Sequence, residues 1–160
     1  MVRHLGRQFA VAAFDSWADV YLALDALKAH GLELAAASVL AARESQQASA
    51  PGNAEIAAEQ DRPVKFDLEF CRLPFDSPLH CTAGPLAAAL EQRRAEGAAT
   101  LGDAFAAWLT PNLADDLERQ IAAGRILLWF EITEPEHHSI VCGELVRATP
   151  HIILICDARF

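Results

Sequence analysis

The two ends of the chain repeat one plan, and that repetition limits the fold more than any single motif does. Near the N-terminus, an apolar stretch at 9–14 closes on Asp15, a helix-like segment follows at 16–30, and after Gly31 comes a second apolar stretch at 32–40. Ser16 is a good N-cap with Asp19 three residues on, and Gly31 is a natural helix stop. Val20, Tyr21, Leu24 and Leu27 recur at helical spacing and make one apolar face. Near the C-terminus, Gly124 and Arg125 lead into an apolar run at 126–132. Thr133 and Glu136 then have the spacing of a capping box, with Pro135 in the first turn. The helix this predicts runs to Ala148 and sets Val141, Cys142 and Leu145 on one face. Pro150 breaks it, and 151–156 reads as a last strand.

Two strand–helix–strand units in 160 residues predict a single α+β domain spanning 1–160. The expected core is a ferredoxin-like βαββαβ sheet with both helices on one face, built from halves at 8–42 and 124–160. Both crossovers are then right-handed, as chirality requires. Residues 43–123 form a long, mainly helical insertion with one extra strand. Its first part, 43–63, is polar and small and reads as a mobile loop. Residues 64–70 alternate, with Val64, Phe66, Leu68 and Phe70 apolar and charges between them, which predicts a half-buried strand. Residues 73–84 read as loop. Three helices follow: Pro85 to Glu96, Leu101 to Leu109 capped by Thr100 with Asp103, and a third with Thr110 as N-cap, Pro111 at N1 and Leu113, Leu117 and Ile121 as its stripe.

From Trp108 through Thr110, Pro111, Asn112 and Leu113 to Gly124, Arg125 and Phe130, and on through the last helix and strand, the chain resembles the general-stress-protein-like family of small bacterial domains. With residues 9–40 the likeness spans a little over half the chain. It implies a strand–helix–strand unit, a middle segment and a closing helix–strand–helix–strand unit. It carries over no catalytic residues.

Composition narrows the partners. Alanine accounts for 32 residues, yet Leu, Ile, Val and Phe still number 43, enough for a true core. The net charge is −9, with no basic cluster larger than Arg93-Arg94, so neither nucleic acid nor an anionic membrane is an expected partner. Arg3, His4 and Arg7 before the stretch at 9–14 superficially resemble a signal peptide. Six apolar residues ending at Asp15 are too few for one, so a cytoplasmic location and reduced cysteines at 71, 81, 142 and 156 are expected.

The candidate chemistry centres on His80, Cys81, Thr82, Ala83, Gly84 and Pro85, read as a small-residue loop feeding a helix N-terminus. Such a place attracts anions and favours a Cys81 thiolate. The dipole is worth about 0.3–1 kcal/mol, less than about one pKa unit, so Cys81 stays mostly protonated unless His80 or Arg72 helps. Cys81, Thr82, Gly84 and Trp129 are the candidate ligand contacts, with a small anion as the ligand class. Cys81 and His80 are the weak catalytic candidates. The competing reading is an ordinary turn, with Trp129 as core. His138 and Cys142 stand at i, i+4 on one helix, a spacing that metal ligands use, but no CxxC or HExxH accompanies them. They read as a polar first turn and a small buried residue, and no metal or other cofactor is expected.

Three functions compete. The first is a non-enzymatic α+β domain that binds a small ligand or partner and self-associates, using the open sheet face and the 80–85 loop. The second is a small cysteine-dependent enzyme or redox protein using Cys81, with His80, His137 or His138 as acid or base; fast alkylation of Cys81 over Cys156 would single it out. The third is a structural or assembly protein whose 43–63 loop docks a partner.

Overall fold

In a computed structural model, residues 7–42, 70–76, 79–82, 84–148 and 150–158 are described. The segment expected to be a loop at 43–63, and all of the alternating stretch except Phe70, lie outside the described residues.

The elements follow in the order β1 (Arg7–Phe14), α1 (Trp17–Ala29), β2 (Ala37–Ala42), β3 (Phe70–Leu73), β4 (Leu79–Thr82), α2 (Pro85–Ala95), α3 (Leu101–Phe105), α4 (Pro111–Ala122), β5 (Ile126–Ile132), α5 (His137–Arg147) and β6 (Ile152–Ala158). The strands form one six-stranded sheet in the order β3-β4-β2-β5-β1-β6, antiparallel throughout. The first strand lies between the last two: Val11 stands opposite Trp129 on β5 and Leu154 on β6.

Side chains alternate across the strands and supply two cores. On one face Ala10, Ala12, Phe14, Leu128 and Phe130 meet Val20, Leu24 and Leu27 of α1 and Val141 and Leu145 of α5. On the other, Val11, Leu40, Leu127 and Trp129 meet Leu86 and Leu90 of α2, Phe105 of α3 and Leu117 and Ile121 of α4. A strand covered on both faces has no polar side, which is why 126–130 is an unbroken apolar run. A ferredoxin-like plan leaves this second face to be covered by either the inserted helices or a second subunit; the inserted helices cover it, so it is core rather than a binding surface.

Caps set the helix boundaries. The Ser16 hydroxyl accepts from the Asp19 amide at 3.3 Å, and Thr100 with Asp103 forms a reciprocal capping box. Thr110 accepts from the Leu113 amide at 3.4 Å, with Pro111 at N1. Thr110→Ala should cost about 1 kcal/mol; an unchanged melting temperature would argue against this cap. Gly31 and Gly124 close α1 and α4 at φ of +78° and +85°, in the left-handed region that favours glycine.

Several local expectations are corrected. The second strand begins at Ala37 rather than Leu32, because Leu34–Ala36 forms a turn of 3-10 helix while Leu32 is buried beneath α1. Within the expected loop at 73–84 lies β4, so the insertion carries two described strands rather than one. Proline and glycine signals at 74, 78, 84 and 85 masked a four-residue strand whose pairing with β2 (Leu40 opposite Cys81) is long-range. The capping box at Thr133 does not form. Residues 134–136 make a turn in which the Glu134 carbonyl accepts from the His137 amide at 3.0 Å, and α5 starts at His137. The helix expected from Leu101 to Leu109 ends at Phe105 and continues as turns, the Phe105 carbonyl accepting from Leu109 at 2.8 Å.

Candidate functional site

The His80–Pro85 segment joins the sheet to α2, but not as a loop around an exposed thiol. His80, Cys81 and Thr82 are strand residues of β4, and Cys81 points into the core beneath α2 with no exposure. Burial, with a smaller contribution from Cys71, pushes the Cys81 thiol up to about 12. At neutral pH it is a neutral, packed side chain. The helix dipole does not offset this, because its effect is less than about one unit. Cys156, also buried, is pushed up to about 11 by desolvation and then by Asp157. Neither thiol is activated relative to the other in the way a nucleophile requires.

Thr82 and Gly84 do come together with a residue the sequence reading did not select, Ser38. The Thr82 hydroxyl accepts from the Val39 amide at 2.8 Å and so caps the β2 ladder where β4 ends. A Cβ at Gly84 would lie 3.9 Å from the Ser38 Oγ. Among the described residues, Ser38 and Thr82 are the two buried polar residues, each 6% exposed. Ser38 sits opposite Trp129 in the β2–β5 register. Its separation from Gly84 along the chain, and its place in an alanine-rich stretch, left no local signal.

Trp129 is fully buried, its ring 5.7 Å from Phe9 and 5.3 Å from Phe105. It packs between β1 and α3 as an aromatic anchor for the inserted helices. Its indole N–H has no hydrogen-bond partner among the described residues. His138 and Cys142 lie in α5, the first exposed and the second half-buried. Among the described residues, no group of three His, Cys, Asp or Glu side chains is placed to hold a metal ion.

No family model, curated protein or solved structure matches this chain. The two edges of the sheet differ in how they meet solvent. At one margin β3 is four residues long and exposes Arg72, the usual means of discouraging further pairing. At the other, β6 is seven residues long and pairs only with β1 among the described residues. Ile152, Ile153, Leu154 and Ile155 are all half-buried there. Exposed His151 and Asp157 flank them. Single exposed apolar residues such as Leu22 and Val146 are ordinary surface, but an aliphatic edge strand that pairs on one side alone among the described residues is not. Among the described residues, no helix is long and apolar enough to cross a membrane.

Proposed function

We propose that the protein is a non-enzymatic binding domain that self-associates through the outer edge of β6. The observation that carries this reading is that edge: a seven-residue strand that pairs with β1 alone among the described residues and carries four half-buried aliphatic side chains, two on each face of the sheet. Strand addition satisfies both, since backbone groups gain partners and the aliphatic side chains leave water. A second copy is the favoured occupant because β6 is complementary to itself. With Leu154 opposite its two-fold mate, Ile153 faces Ile155 and His151 faces Asp157 of the other copy, an attractive cross-strand pair at each end.

The fold-level part of the proposal reads β2-β5-β1-β6 with α1 and α5 as a ferredoxin-like βαββαβ unit. Two parallel, interleaved strand–helix–strand connections support it: β1 to β2 around β5, and β5 to β6 around β1. Kinship with the general-stress-protein-like domains is proposed on the same basis, together with the stretch from Trp108 to Phe130. Binding is favoured over catalysis because the best-placed thiol, Cys81, is neutral and packed. A small anionic ligand beside Ser38, Thr82 and Gly84 is a subsidiary proposal, which native mass spectrometry of the purified protein would test directly.

Light scattering across the micromolar range tests the main reading. The expected result is a dimer that Leu154→Lys converts to a monomer with its melting temperature largely kept. A wild-type monomer throughout the range, or a dimer indifferent to Leu154→Lys, would overturn it.

A further inference from the structure

The β3–β4 hairpin sets two thiols directly against each other. Cys71 and Cys81 are register partners, flanked by the paired Leu73 and Leu79 two residues on. Directly opposed residues of antiparallel strands project from the same face, and their Cβ atoms stand about 4.5–5.5 Å apart. Their nearness also shows electrostatically, as Cys71 helps to raise the pKa of Cys81. The two differ in access. Cys71 is exposed on the outermost strand, whereas Cys81 is sealed beneath α2. A disulfide needs Cβ atoms about 3.5–4.5 Å apart, so closing this pair draws the strands together by about an ångström. Such a movement is feasible here because β3 is held by β4 alone among the described strands.

We propose that Cys71 and Cys81 form a reversible cross-strand disulfide, a redox-modification site that fastens β3 to β4. The site lies at the opposite margin of the sheet from β6 and does not depend on the association proposed there. Its oxidant is a low-molecular-weight disulfide of the glutathione class. The Cys71 thiolate attacks one sulfur of that disulfide, forming a mixed disulfide and releasing one glutathione thiolate. Cys81 then loses its proton to the released thiolate and attacks the Cys71 sulfur, expelling the second glutathione thiolate, which takes up the proton lost by Cys71. Two protein thiols are oxidised by two electrons, and one glutathione disulfide is reduced to two thiols. Access sets the order, since the exposed sulfur reacts first and the buried one resolves it. A bond that pulls two strands inward is strained and sits among the readily reduced disulfides.

The test incubates the intact protein with oxidised glutathione, alkylates the remaining thiols and maps tryptic peptides. Cleavage after Arg72 separates the two cysteines, so their bond appears as a linked peptide pair. The expected result is a Cys71–Cys81 link that dithiothreitol removes and that raises the melting temperature by several degrees. Cys81→Ala should stop at glutathione on Cys71. Cys71→Ser, a change at an exposed position, should leave Cys81 as a free thiol. A wild-type protein that halts with glutathione on Cys71, or that links Cys71 to Cys71 of a second copy, would overturn the proposal. Glutathione on Cys81 in Cys71→Ser would overturn the stated order.

Discussion

Replacing Trp129 with alanine is expected to lower the unfolding free energy by about 3–5 kcal/mol, the cost of removing a large aromatic side chain from a core. The side chain is fully buried and touches elements distant in sequence, with Phe9 of β1 on one side and Phe105 of α3 on the other. Neighbours fixed to separate elements cannot easily close the cavity. Against a typical domain stability of about 5–15 kcal/mol, the loss is large. Trp129→Phe should cost much less, because it keeps most of the ring and deletes an N–H that has no partner among the described residues. Chemical denaturation of both variants checks this. A midpoint unchanged in Trp129→Ala would mean that the inserted helices are not anchored to the sheet through this ring.

The second large effect belongs to the other face. Leu145→Ala on α5 should cost about 2–5 kcal/mol, since Leu145 is fully buried against the face that carries Leu128 and Phe130. The sheet itself separates the two sites. Their costs should therefore add to within about 0.5 kcal/mol in the double variant, as they do for sites without shared neighbours. A coupling well beyond that would show that damage on one face loosens the strands for both.

How much of this was legible follows from the range of the forces involved. Caps and stops are local chemistry, and Ser16, Thr100, Thr110, Gly31 and Gly124 all mark helix ends where the sequence places them. The apolar runs in β1 and β5 are strands for the same reason, since strands covered on two faces have no polar side to show. What was not legible depends on partners far along the chain. β4 exists because β2 offers it a ladder, and nothing within four residues could signal that. Thr133 fails as a cap because Pro135 and Glu136 are spent on a turn first.

At the candidate site the same division holds. Thr82 and Gly84 stand out in the sequence as small residues beside a helix start, and that start is real. The sequence reads Cys81 as a loop residue, whereas it belongs to a strand, and a strand alternates so that its inward positions belong to the core. Ser38 could be found only through the sheet register. The opposition of Cys71 and Cys81 had one faint signal: two cysteines bracketing prolines 74 and 78, as the arms of a hairpin would.

The placement of β1 between the last two strands has a consequence for synthesis. During translation the first strand emerges more than a hundred residues before either neighbour, for its described partners begin at Ile126 and Ile152. Until then its apolar side chains have no sheet to join, so the domain cannot close on a growing chain and must assemble late. Sheets knitted from such remote segments gather slowly, and the nascent polypeptide is exposed to wrong contacts, or to a chaperone's grip, until the last two strands have emerged.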